Sequence, residues 1–159
     1  MVQSFQSGRG RGLDLIKDKY HSLRLTVSEA RQLVHRTASH GMCSPYVTVR
    51  LVPGISGASH INKVTTSCQP RTLFPLFDET FDLTVPESIS KEKTFLLFSV
   101  KDRGPLGDKM LLGEALVPLS EVERCNQNCS LEELQQVQLG LTSPGLSVLD
   151  ILTAIETRK

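Results

Sequence analysis

The sequence predicts an all-β domain built as an antiparallel sandwich or barrel. Several short stretches alternate apolar and polar residues with a period of two, the pattern of half-buried strands. The breaks between them, HGMCSP, PGISGAS, QPRTLFP and DRGPLGD, carry Gly, Pro and Ser at near-regular spacing, unlike the strand–helix alternation of a parallel sheet. The chain has 159 residues, which suits one domain of the common size of about 100–150 residues.

The elements follow in order. Residues 1–12 contain the Gly- and Arg-rich run SFQSGRGRG, so a flexible tail with little to bury is expected there. The domain itself is expected over residues 13–141, opened by a short helix in which Leu13, Ile16 and Tyr20 recur at helical spacing. In SLRLTVSEA, Leu23, Leu25 and Val27 alternate with Arg24, Thr26 and Ser28. PYVTVRLV (Pro45–Val52) repeats the pattern, and NKVTTSC (Asn62–Cys68) is short and β-branched. DETFDLTV (Asp78–Val85) follows, then TFLLFSVKD (Thr94–Asp102), whose nearly continuous apolar run suits a central strand. MLLGEALVPL (Met110–Leu119) and QQVQLGL (Gln135–Leu141) complete the candidates. Inward alternation assigns the core to Leu23, Leu25, Val27, Val47, Val49, Phe81, Leu83, Leu96, Phe98, Val100, Leu112, Ala115 and Val117. Ser130, three residues before Glu133, is placed to cap a short helix. A C-terminal helix is expected over residues 142–159, with Leu146, Leu149, Leu152 and Ile155 on one face and Arg158 and Lys159 at its end.

Composition excludes several functions. Lys plus Arg number 18 and Asp plus Glu 17, a net charge of +1, without the basic excess of a general nucleic-acid binder. Cys43, Cys68, Cys125 and Cys129 match no paired zinc-ligand spacing and read as reduced thiols of a cytoplasmic protein. The first residues lack the apolar core of a signal peptide, and no apolar run approaches the roughly 20 residues that span a bilayer. His21, His35, His40 and His60 lie near turn or strand-edge sequence and read as solvated loop residues, and no HExxH, GxSxG or phosphate-loop motif is present, so no enzyme is expected.

Two stretches carry more information: Ser44-Pro45-Tyr46-Val47-Thr48-Val49, and the run RTLFPLFDETFDL from Arg71 to Leu83. They resemble the SDPYVKV and LNPxFNExFxF signatures of C2 domains. SVKDRGPLGDKMLLGE (Ser99–Glu114) resembles the third top loop of that family and the strand after it. Three motifs in family order, spanning Leu23 to Leu119, imply an eight-stranded C2-type sandwich with short flanking helices. RTLFPLFDETFDLTVPE, LLFSVKD and LGEALVPL look like the C-terminal C2 domain of the Munc-thirteen and BAI-associated-protein family of vesicle-priming proteins.

That resemblance also sets an expectation about calcium. Calcium-binding members supply roughly five carboxylates, about two from the first top loop and about three from the third, in keeping with calcium's demand for about six to eight oxygens. Here Ser44 replaces the aspartate of the first-loop signature, and no Asp or Glu lies between Glu29 and Asp78. Counting back from Gly113-Glu114, Asp102 falls on the first aspartate position of the third loop, Gly104 on the second and Met110 on the third, with Asp108 nearby. The implied site is degenerate: Asp102 and Asp108 hold calcium weakly or not at all, and no other cofactor is expected. Asp102 also reads as a strand-end carboxylate accepting loop hydrogen bonds.

The resemblance implies docking on an anionic phospholipid surface with little or no calcium dependence, in a cytoplasmic protein peripheral to membranes or vesicles. It further implies action on the membrane-fusion (SNARE) machinery through a longer parent protein. Candidate lipid contacts are Arg36, Met42, Arg50, Lys63, Arg71, Leu106 and Lys109. The alternative is a scaffold C2 domain that binds a protein partner without lipid or calcium, since fold does not fix function.

Overall fold

The computed structural model describes residues 19–33, 43–52, 63–122 and 137–142, together with the backbone of 2–7. Among them are seven strands: β1 (Val2–Ser7), β2 (Tyr20–Glu29), β3 (Pro45–Val52), β4 (Lys63–Thr65), β5 (Leu76–Pro86), β6 (Phe95–Arg103) and β7 (Lys109–Pro118). They form two sheets, ordered β1-β2-β5 and β4-β3-β6-β7, in which every pairing is antiparallel.

Alternation along the strands explains the core. Leu23 and Leu25 of β2 lie opposite Leu83 and Phe81 of β5, while Val47, Val49 and Leu51 of β3 lie opposite Val100, Phe98 and Leu96 of β6. These side chains meet between the sheets in one apolar cluster that also takes Ala115 and Val117 from β7. Of the core residues expected from sequence, only Phe81 and Leu112 are partly rather than fully buried, and both still pack against the cluster. A fully buried aliphatic side chain contributes roughly 1.5–3 kcal/mol, so this cluster is what holds the sheets together.

Several expectations need correction. Val2–Ser7, read as part of a flexible tail, forms β1 and pairs with β2 from Leu25 to His21. The helix expected to end at Tyr20 does not reach it, because Tyr20 opens β2 opposite Pro86. His21, expected as a solvated residue near a turn or strand edge, lies in the same strand, mostly buried, and its Nε2 is 3.1 Å from Glu87 Oε1. The strand expected over Asn62–Cys68 stops at Thr65. There the Thr66 hydroxyl accepts from the Val47 N–H at 2.9 Å and donates to the Ser67 carbonyl, taking the place of the next ladder bond. Residues 137–141 carry no strand. The chain instead meets β7 through one bridge, Thr142 to Glu114. The expected helices over 13–18, 130–134 and 146–155 lie outside the described residues.

Candidate functional site

Three loops gather at one end of the sandwich. The chain leaving β2, the chain entering β3, the β4–β5 connection and the β6–β7 turn all lie there, because Glu29 pairs with Leu76 and Pro45 with Asp102. The loops are tied by backbone bonds: Thr72 N–H to the Cys43 carbonyl, Leu33 N–H to Leu73, and Arg103 N–H to Ser44. Asp102 adds a side-chain tie, its Oδ1 accepting from the Ser44 N–H at 2.7 Å. Burial, and next to it the Asp102 charge, push the Cys43 thiol up from its ordinary value.

The two candidate calcium ligands therefore do different things. Asp102 is half-buried and engaged by a backbone amide, the arrangement expected of a strand-end aspartate. Asp108 is exposed on the far side of a tight turn in which the Gly104 N–H donates to the Asp108 carbonyl at 2.9 Å. Gly107 closes that turn with φ +85°, a left-handed conformation that suits glycine. Among the described residues, no three His, Cys, Asp or Glu side chains converge as a metal-binding group.

Large apolar side chains project from this end. Leu106, at the tip of the β6–β7 turn, is 90% exposed, Phe74 is 65% exposed and Leu76 is 61% exposed. Leu106 was expected from its loop position. Phe74, placed in the QPRTLFP break, and Leu76, just before the strand expected from Asp78, are not among the sequence candidates. The deciding signal is Pro75, which is fully buried between them and turns both neighbours outward.

A second feature lies on the outer face of the four-stranded sheet. Arg50 of β3 is directly opposite Lys63 of β4, and Tyr46 of β3 is opposite Lys101 of β6. Arg103, one alternation beyond Lys101, is opposite Lys109 of β7. Period-two pleating puts these five cations on the face turned away from the core. Arg50, Lys63, Arg103 and Lys109 are exposed, and Arg103 also stacks over the Tyr46 ring, 5.6 Å from its centroid. Lys101 is half-buried; burial, then the Lys63 and Arg50 charges, hold its amine below the ordinary lysine value, while Glu114 opposes that shift and Lys109 adds to it.

Three of the seven sequence candidates, Arg50, Lys63 and Lys109, thus share one surface. Arg71 and Leu106 are exposed at the loop end, Arg71 with φ +51°. Arg36 and Met42 lie outside the described residues. Lys101 and Arg103 are not among the sequence candidates, although the inward assignment of Leu96, Phe98 and Val100 already leaves them on the outward row of β6.

Antiparallel sheets of this order, with three connecting loops at one end, define a C2 sandwich. The C2 domain family matches residues 21–134, and the chain belongs to it. It is similar to protein unc-13 homolog D of Homo sapiens, with 36% identity over 122 residues that make up 76% of this chain and 11% of that protein. BAI1-associated protein 3 of Mus musculus is 29% identical over 128 residues, again 76% of this chain and 11% of the relative. Extended synaptotagmin-3 of Mus musculus is 39% identical over 103 residues, 64% of this chain and 11% of its own length. The chain thus spans 11% of the length of each of these curated relatives. A C2 domain of RIM from Drosophila shares the fold, with a TM-score of 0.53 at 24% identity over 63% of this chain and 76% of that one. Among the described residues, no helix is long and apolar enough to cross a membrane.

Proposed function

We propose that this C2 domain docks on anionic phospholipid membranes through the basic face of its four-stranded sheet, without needing calcium. The observation that carries the reading is the convergence of Arg50, Lys63, Lys101, Arg103 and Lys109 on one face. Each cation near an anionic leaflet contributes on the order of 1 kcal/mol, so five together suffice for reversible attachment. Lys101 supports the reading further: a cation held among cations, its amine pushed down, gains when an anion arrives. Lys109 and Arg103 continue the face to the loop end, where Leu106, Phe74 and Leu76 offer apolar groups to the headgroup region. Calcium has little to contribute, because the Asp102 carboxylate already serves the Ser44 amide.

The likeness to unc-13 homolog D and BAI1-associated protein 3 supports placing this docking in vesicle priming, beside the membrane-fusion (SNARE) machinery. Vesicle flotation tests the docking step. In the presence of a chelator, the chain is expected to float with phosphatidylserine-containing vesicles and not with phosphatidylcholine alone. Failure on both compositions, with and without calcium, would leave the protein-scaffold alternative.

A further inference from the structure

Among the described residues, the basic face contains one carboxylate. Glu114 of β7 lies directly opposite Ser99 of β6, in the same cross-strand row as Thr48 and Thr65, between the rows that hold Arg50 with Lys63 and Tyr46 with Lys101. Its charge acts on Lys101 against the lowering by the other cations. A flexible surface glutamate would swing aside for an incoming anion, but Glu114 is held. Its Oε1 accepts from the Ser99 hydroxyl at 2.8 Å. Its backbone is clamped on the other side by Thr142, whose N–H and hydroxyl both donate to the Glu114 carbonyl, at 2.8 and 2.9 Å, while the Glu114 N–H donates to the Thr142 carbonyl. Ser99 is itself buried, so the hydroxyl that fixes the carboxylate has little freedom to release it.

We infer that Glu114 is a built-in counter-anion that attenuates the docking surface. It lowers the potential of the face at its centre, so that membrane attachment stays weak and readily reversed rather than persistent. The inference rests on the docking reading above and adds to it an affinity-setting residue that acts by repelling the leaflet.

The test is flotation of the whole chain and of Glu114→Gln with vesicles of phosphatidylcholine plus phosphatidylserine, in chelator, over a series of salt concentrations. The Gln side-chain oxygen still accepts from Ser99, so the variant changes charge and little else; a thermal melt by circular dichroism checks that the fold is kept. Removing one charge near the leaflet is expected to tighten binding roughly fivefold at low ionic strength, with the gain vanishing toward about 1 M salt, where screening is nearly complete. A structural effect would not follow salt in this way. If the parent chain binds and Glu114→Gln binds no tighter, the inference is overturned while docking stands. If neither binds, the docking reading fails and takes the inference with it. Binding by Glu114→Gln alone would uphold the counter-anion and show that it blocks docking outright.

Discussion

The Asp102 carboxylate accepts a 2.7 Å hydrogen bond from the Ser44 backbone N–H. In one contact it joins the end of β6 to the start of β3 at the position where the family resemblance expects a calcium ligand. The carboxylate thereby works as a staple between the two loops.

Removing that staple has a measurable cost. Asp102→Ala strands a partly buried N–H and is expected to lower stability by about 1–3 kcal/mol in urea denaturation. Asp102→Asn keeps an oxygen acceptor and loses less. Equal stability of all three proteins would show that the bond contributes nothing.

Gly113 makes room for the chain that clamps Glu114. A Cβ there would stand 3.0 Å from the Leu141 Cβ and 3.2 Å from the Thr142 carbonyl oxygen. Because Gly113 is buried and one of its neighbours is backbone, Gly113→Ala is expected to cost about 1–3 kcal/mol, the usual range for overpacking. Amide exchange at Thr142 should speed up in the variant; unchanged exchange and unchanged melting would mean that the bridge is not tight.

Lys101 gives a pH signature. Its amine is lowered in the folded chain by burial and by Lys63 and Arg50, so the folded protein releases this proton before the unfolded chain does. Between the lowered value and the ordinary 10.5, the unfolded state holds more protons, and stability from this group rises with pH. Lys101→Gln is therefore expected to melt at or above the parent temperature near neutral pH, with the difference shrinking toward pH 10.5 or in high salt. A variant that melts lower, by a margin independent of pH and salt, would show that Lys101 stabilises the sheet instead.

The fold was legible wherever one face of a strand is buried and the other wet. Leu23, Leu25 and Val27 against Arg24, Thr26 and Ser28 is such a case, and β2 from Ser22 onward follows from it. It was illegible where that contrast fails. In β6, Leu97 faces away from the core cluster yet is 0% exposed, so apolar residues lie on both faces and no local pattern marks Lys101 and Arg103 as part of a basic surface. β1 was missed because Val2–Ser7 is polar and Gly-rich sequence follows it; its strand character comes from pairing with β2, a tertiary cause that no local pattern announces. The candidate site divided in the same way. Single exposed cations such as Arg50 and Lys63 were found by type, but only strand register shows that they stand side by side.

On the proposed docking mode the sheet face, rather than a calcium-filled loop, carries membrane attachment. The most direct measurement is flotation of Arg50→Glu/Lys63→Glu with phosphatidylserine vesicles in chelator, beside the parent chain with and without calcium. The parent chain is expected to bind equally with and without calcium, and the double variant, folded by circular dichroism, to lose most of its binding. Parent binding that appears only with calcium, or a double variant that binds as well as its parent, would contradict that docking mode.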